Sequence, residues 1–491
     1  MRPFSVLLAL SAIVAMSGCD RRLVEGEIDL GEADAQAEQQ WIDLMPESAE
    51  LDGWRVLGGS ADFRIEPGPG GREIVGTARD PERNTFLASQ QTWGDFVLEL
   101  EFRVDGELNS GVQLRSAVRS PEGGGAGDQV VYGYQAEIDP SPRGWTAGIY
   151  DEARRGWLYP VTLNPDARTL YRPGEWNRMR IVALGDEIRT WLNGEAVAHL
   201  IDDASGEGFV ALQVHAAPSE LHGTEVRWRN LRLGLDPRPA PDDAVPYVVN
   251  TRVNDLAEAE ARRGWTRLFD GESAAGWRGA HAEEFPEAGW QVAGGELSVL
   301  ATTGGEAAGG GDIVTEDEYG AFELQLEFRL SQGANSGIKY FVTEDYASTG
   351  SAIGVEYQLL DDERHPDATQ GRDGNRTLAS LYDLIPADKQ PRFVRPPGEW
   401  NHARLVVRPD RSVEHWLNHQ KVLEYTLGSA EFLQLVQRSK YRDWEGFGLW
   451  TSGHLLLQDH GDAVSFRSIK VRELGALAPA ATADATTEDS P

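Results

Sequence analysis

Two long stretches of this chain carry the same short blocks in the same order, so the fold must be one that can be built twice. Phe96-Val-Leu-Glu-Leu-Glu-Phe-Arg103 returns as Phe322-Glu-Leu-Gln-Leu-Glu-Phe-Arg329, and Asn-Ser-Gly follows each, beginning at Asn109 and Asn335. Gly133-Tyr-Gln-Ala-Glu-Ile-Asp139 answers Gly354-Val-Glu-Tyr-Gln-Leu-Leu-Asp361, Ile149-Tyr-Asp151 answers Leu381-Tyr-Asp383, and Pro173-Gly-Glu-Trp-Asn177 answers Pro397-Gly-Glu-Trp-Asn401. Trp191-Leu-Asn193 pairs with Trp416-Leu-Asn418, and Leu212-Gln-Val-His215 with Leu457-Gln-Asp-His460. The order rules out chance recurrence.

Within a copy the local signal is strand. Phe96, Leu98, Leu100 and Phe102 alternate with Val97, Glu99, Glu101 and Arg103, a period of two that makes one face apolar and the other charged. Gly-, Asp- and Pro-rich segments separate such runs, and Glu431 to Lys440 is the best candidate for a short helix. Many strands with no interleaved helices predict an all-β chain of two tandem domains, each of antiparallel sheets packed as a sandwich or jelly roll. The boundaries are 38–235 for the first sandwich, 236–263 for a Pro-rich linker of extended chain, 264–474 for the second sandwich and 475–491 for a disordered tail.

In a sandwich the inner faces are apolar, so a strand whose other face is rich in amides offers that face to something. In the second copy these residues are Asn335 and Lys339, Glu356 and Gln358, then Gln458 and His460; in the first they are Asn109, Gln113 and Arg115, Gln135, Glu137 and Asp139, then Gln213 and His215. Amides, a carboxylate and an imidazole on one sheet face suit the hydroxyls of a sugar, each of which needs a donor and an acceptor; the competing reading is a solvated outer face. His281, His402, His415 and His419 lack partners at metal-ligand spacing and read as packing or surface residues. The run Asp361-Asp-Glu-Arg-His365-Pro-Asp367, with Asp373, is dense in hard oxygen ligands and could hold a divalent cation or form a solvated turn. No nucleophile elbow, P-loop, His-Glu-x-x-His or dinucleotide fingerprint is present. A net charge of −33 disfavours nucleic acid, whose phosphates it would repel.

The second copy, Gly264 through Leu474, resembles the 3-keto-disaccharide hydrolase domain family, a concanavalin A-like jelly roll. The match is carried by Trp265-Thr-Arg-Leu-Phe-Asp-Gly271, Asn335-Ser-Gly-Ile338, Gly354 to Asp361, His365-Pro-Asp367, Leu381-Tyr-Asp383, Gly398-Glu-Trp-Asn401, His415-Trp-Leu-Asn418 and Leu457-Gln-Asp-His-Gly461. The first copy resembles a divergent member, lacking His-Pro-Asp and exchanging glutamate and glutamine in the central strand. The resemblance implies cleavage of glycosides oxidised at C3, by hydrolysis or by C2 proton abstraction and elimination. It makes Glu356 and His460 candidate base and acid, and Lys440 or a divalent cation the candidate enolate stabiliser. Asn335, Lys339, Gln358, Gln458, Asp361 and His365 are then substrate-binding candidates, with Asn109, Arg115, Gln135, Glu137, Gln213 and His215 their first-copy counterparts. The alternative is a non-catalytic carbohydrate-binding or adhesion module.

The chain has one cysteine, Cys19, which excludes an intramolecular disulfide or thiolate metal site. It follows an uncharged run from Phe4 to Met16 and ends Ala15-Met-Ser-Gly-Cys19, which resembles a bacterial lipobox. A signal peptide over 1–18, an acidic tether over 19–37 and lipid anchoring at Cys19 in the bacterial cell envelope are the expectations.

Overall fold

The computed structural model describes residues 40–120, 129–239, 245–302, 309–345 and 352–478; the signal peptide, Cys19, the tether and the tail from 479 lie outside them. The described residues form one compact unit built of sheets that are antiparallel but for one short pair.

Each copy is two stacked sheets. In the first, the back sheet of nine strands centres on Phe96–Val104, flanked by Asn177–Leu184 and Glu225–Gly234. Its counterpart centres on Ala321–Leu330, flanked by Asn401–Val407 and Val464–Gly475. Leu98 lies opposite Ile181 and Leu100 opposite Met179, as Leu324 lies opposite Leu405 and Leu326 opposite Ala403. These inward residues are buried, and each leucine, isoleucine or methionine so covered contributes about 1.5–3 kcal/mol. The outward set is ion-paired: Glu99 takes Arg180 and Arg232, and Glu323 takes Arg404 and Arg472 at 2.5 Å each.

The front sheet of the second copy has five strands in the order Trp277–Gly279, Ile313–Tyr319, Gly453–Leu457, Asn335–Thr343, Ile353–Leu360. The first copy repeats this with Trp54–Gly58, Thr85–Ser89, Phe209–Val214, Ser110–Arg119 and Val130–Ile138, and then adds the hairpin Ile149–Glu152 and Gly156–Tyr159.

Several repeated blocks are structural. Asn177 and Asn401 close the turn before their strands by accepting from the backbone of Arg172 and Arg395, and each also accepts from the asparagine of the Trp-Leu-Asn block, Asn193 at 2.9 Å or Asn418 at 2.8 Å. Those two asparagines occupy the left-handed region, φ 52° and 47°, which asparagine tolerates better than most residues. Trp176 lies between Arg103 and Arg229, and Trp400 between Arg329 and Arg467.

The expected helix is Ala430–Val436, capped by the Ser429 hydroxyl; it stops short of Lys440. The expected linker is more than extended chain. Val249–Asn250 pairs in parallel with Glu195–Ile201, and a helical turn at Glu258–Ala261 places Glu260 against Lys470. Tyr247 receives the Arg404 guanidinium at 4.5 Å from its ring centre, and Thr162 donates to the His419 carbonyl at 2.9 Å, so the two sandwiches are in contact.

Candidate functional site

In the second copy Gly337 sits at the centre of the front sheet, paired with Gln358 on one side and bonded through its carbonyl to the Gln458 amide on the other (3.0 Å). Two glutamines thus flank a position with no side chain. Lys339 lies opposite Glu356 in the next row, and the Glu356 side chain folds back over the glycine. A Cβ at Gly337 would fall 2.3 Å from Glu356 Oε1, so the glycine is what lets the carboxylate lie there. Turned so that its NH2 faces acceptors, the Gln358 amide donates to Glu356 Oε1 (3.1 Å) and to the Ser336 carbonyl (3.2 Å), and its other atom meets Asn335. Ser336 donates to the Gln458 carbonyl, as Ser110 does to that of Gln213, so the serine of the Asn-Ser-Gly block ties two strands together.

The other expected residues separate into those at this face and those spent on structure. Lys339 is buried and paired with Asp312 at 3.2 Å. Asp361 accepts from the Gly333 and Glu363 backbone and from Arg364, which hold its carboxyl below the usual range against the opposing effect of burial. Asp362 accepts from Leu378 N, and Asp367 accepts from Tyr382 and Arg376. The acidic run therefore does not converge on a cation; its carboxylates hold the loop. Lys440 reaches the site region through its backbone amide on Asp383, and its ammonium lies 4.1 Å from the centre of the Tyr382 ring.

His365 does converge. Its ring meets that of His460 edge-on at 6.0 Å, and one ligand atom from each of His365, His460 and Asp462 lies within 4.8 Å of the others. Asp462 also accepts from Asn335 N at 2.9 Å, linking the trio to the amide row. Two imidazoles and a carboxylate are a donor set that fits a divalent transition ion. Binding would cost either the 3.2 Å bond that His365 Nδ1 accepts from Asp367 N or the proton that this bond places on Nε2. Burial, then the neighbouring His460, lowers the His365 pKa, which favours the neutral imidazole.

Sequence reasoning missed Asp462, two residues beyond His460 in a block that otherwise matched, and Tyr382, which it read only as a motif letter. Tyr382 donates to Asp367 (2.7 Å); burial first, then this bond and the Glu356 charge, push its hydroxyl pKa up.

The first copy preserves the face and changes its chemistry. Gln135 occupies the place of Glu356, with its side chain over Gly111, and Glu137 occupies that of Gln358. A closed relay runs from Gln113 to Gln135 (2.6 Å) and from Gln135 to Glu137 (2.9 Å), with Asn109 donating to the same carboxylate at 2.8 Å. Burial outweighs these donors and raises the Glu137 pKa to about 6. Gln213 is buried, and neither of its amide atoms has a partner among the described residues. His215 bonds the Ala216 carbonyl at 2.6 Å, and Ala217 follows where the second copy has Asp462. Asp139 holds a short turn through Arg143 and the Trp145 amide.

Arg115 is a correction. Expected on the amide face, it sits in a bulge at φ 45°, as Phe341 does at 52° in the second copy. The bulge turns it away from Gln113, and its guanidinium donates to the Gly94 and Gly185 carbonyls and to Asp95.

The family model for the 3-keto-alpha-glucoside-1,2-lyase-like domain matches residues 40–234 and again 264–472. A Bacteroides thetaiotaomicron protein named 3-keto-disaccharide hydrolase is 38% identical over 232 residues, 43% of this chain and 79% of its own length. Two Parabacteroides distasonis crystal structures, described as candidate glycosyl hydrolases, are 30% and 25% identical and cover 46% and 40% of this chain, and 100% and 99% of their own, with TM-scores of 0.39 and 0.30. With two all-β sandwiches, each matched along its length, the chain belongs to the 3-keto-disaccharide hydrolase family and carries its domain in tandem.

Proposed function

We propose that the second sandwich cleaves 3-keto-glycosides and that the first binds saccharide without turning it over. The carrying observation is the carboxylate of Glu356 folded over Gly337 and joined through Gln358 and Asn335 to the His365, His460 and Asp462 trio, a combination the first copy lacks among the described residues. A ketone at C3 acidifies the C2 hydrogen. Glu356 takes that proton, the C2 electron pair forms the enolate, and the C1–O bond breaks with its electrons on the leaving oxygen. An imidazole N–H of the histidine pair supplies that oxygen with a proton. Water then adds at C1, giving a proton back to the imidazole, while Glu356 returns its proton to C2, and the sum is hydrolysis. Gln358, Gln458 and Asn335 orient the sugar hydroxyls in this reading. A divalent cation on the trio would supply Lewis acidity toward the developing negative charge.

The test uses the full chain with an aryl 3-keto-glucoside and its unoxidised parent. Release of the phenol from the keto compound alone is expected, with loss of at least about 100-fold in Glu356→Gln, the scale of a lost general base. Near-normal turnover in that variant, or none in the parent chain with or without divalent metals, overturns the reading. We also propose anchoring at Cys19 by lipid; Cys19→Ser should move the protein from the membrane to the soluble fraction, and unchanged fractionation would refute it.

A further inference from the structure

Between the two sandwiches lies a cleft of about 880 Å³, remote in sequence from the Glu356 strand and lined from both copies. In a chain with 79 acidic and 46 basic residues, its walls carry, among the described residues, six arginines and two carboxylates, Glu327 and Glu399. The described lining contains no lysine, and this matters because the guanidinium fork matches a carboxylate or sulfate in two bonds at once.

Several of these arginines are already engaged. Arg154 and Arg155 share Asp151 at 2.7 and 2.6 Å, and Arg467 holds Glu327 at 2.8 Å. Two on the 391–400 segment have no carboxylate closer than 3.9 Å among the described residues. Arg392 has no carboxylate within ion-pair distance among the described residues and bonds only the Gln390 side chain, while lying over the Phe393 ring. Arg395 meets Glu399 only at 3.9 Å, both being exposed, and donates to the Arg155 carbonyl across the cleft. Facing them from the first sandwich is half-buried Trp157, set edge-on to Tyr150 at 5.2 Å and to Trp145 at 4.7 Å, with the Arg143 guanidinium 5.1 Å from its ring centre on one face, which leaves the other face for a sugar. Aromatic faces beside guanidinium groups that no close carboxylate neutralises are complementary to a sugar ring that carries an acid group: the ring's C–H face meets the indole and its anion meets the fork.

We infer that this cleft is a second saccharide site, selective for anionic sugars, with Arg392 and Arg395 reading the acid group and Trp157 the ring. It uses none of the residues of the proposed reaction, so it stands or falls separately from that reading.

Calorimetric titration of the full chain with tetragalacturonate, a sulfated carrageenan tetrasaccharide and neutral maltotetraose tests it. Saturable binding of either or both acidic oligomers is expected, weakening as salt rises; which of the two binds identifies the acid group. The Arg392→Ala/Arg395→Ala double variant should weaken binding at least tenfold and Trp157→Ala comparably, while turnover of the 3-keto substrate stays unchanged. Both arginines are exposed, so the fold should survive, which circular dichroism checks. Equal binding of maltotetraose, no binding of either acidic oligomer, or undiminished binding by the double variant would overturn the inference.

Discussion

Replacing Gly337 by alanine tests whether the site depends on a carboxylate held over a bare backbone position. The added Cβ would lie 2.3 Å from Glu356 Oε1, 3.0 Å from its Cδ and 3.1 Å from its Cγ. Real Cβ contacts stay at or beyond 3.0 Å, so the oxygen must retreat by at least 3.0 − 2.3 = 0.7 Å. Only the tip of the side chain is displaced, so the stability cost should be near 1 kcal/mol, that of an off-rotamer torsion. A catalytic group shifted by about 1 Å loses on the order of 100-fold in rate. Gly111→Ala is the internal control. There the Cβ would meet Gln135 Cδ at 2.4 Å and Cγ at 2.6 Å, deeper in a side chain pinned at both ends by Gln113 and Glu137. Its stability cost should be larger, about 1–3 kcal/mol as for other overpacked sites, with turnover by the intact chain unchanged. Urea midpoints and aryl 3-keto-glucoside turnover for both variants give a crossed pattern: Gly337→Ala inactive and stable, Gly111→Ala active and weakened. Turnover within a few-fold of the parent in Gly337→Ala, or an equal loss in both, would refute the argument.

Further outcomes follow from the packing. Arg115→Met strips charged donors from the Gly94 and Gly185 carbonyls and should cost on the order of 3 kcal/mol in chemical denaturation, leaving turnover per folded molecule unchanged; a neutral effect on stability would return Arg115 to the amide face. His415 bonds Tyr340 and the Ala379 carbonyl in the second core, where burial holds its pKa to about 3. The unfolded chain takes up that proton near pH 6.5, so the unfolded state binds more protons between these values and stability falls as pH drops through the window. The loss is up to about 1.4 kcal/mol per pH unit. His415→Gln should flatten the dependence of the urea midpoint between pH 4 and 6 by about one proton's worth; an unchanged slope would show that the imidazole is not held neutral.

How much was legible in the sequence depended on whether a residue's role is local. The alternation of Phe96 to Arg103 and of Phe322 to Arg329 follows from a period of two, and the sheets formed where it placed them. Faces were readable wherever strands stayed regular, which is why Asn335, Glu356, Gln358 and Gln458 were found together. Arg115 failed because a bulge adds one residue to a strand and reverses the alternation beyond it, and nothing in Gln-Leu-Arg-Ser announces that. The Asp361 to Asp367 run stayed open between a cation site and a turn for a different reason. Composition counts carboxylates, but only the folded loop shows that backbone amides, Arg376 and Tyr382 already occupy them. Asp462 needed the reverse information: its partner His365 is 97 residues earlier, and only the loop 361–378 brings them together.

The two copies now separate what the family pattern needs for folding from what it needs for chemistry. The asparagine pairs behind the Glu-Trp-Asn and Trp-Leu-Asn blocks, the arginine-clamped tryptophans and the serine of Asn-Ser-Gly perform the same contacts twice. The differences gather on one face: Gln135 for Glu356, Glu137 for Gln358, Ala217 for Asp462 and a short turn for the loop that bears His365. If the carboxylate position alone separated the copies, exchanging residues 135 and 137, as Gln135→Glu with Glu137→Gln, should confer turnover on a chain silenced by Glu356→Gln. The structure argues that it will not. The exchanged glutamate would lie over Gly111 much as Glu356 lies over Gly337, yet His215 has the Glu152 carboxylate for a charged neighbour and no second imidazole grouped with it among the described residues, so the leaving group would find no histidine pair to protonate it. Turnover in that triple variant at more than background would show that the base alone suffices and that the histidine trio is dispensable; background turnover, with the parent chain active in the same assay, places the requirement in the loop.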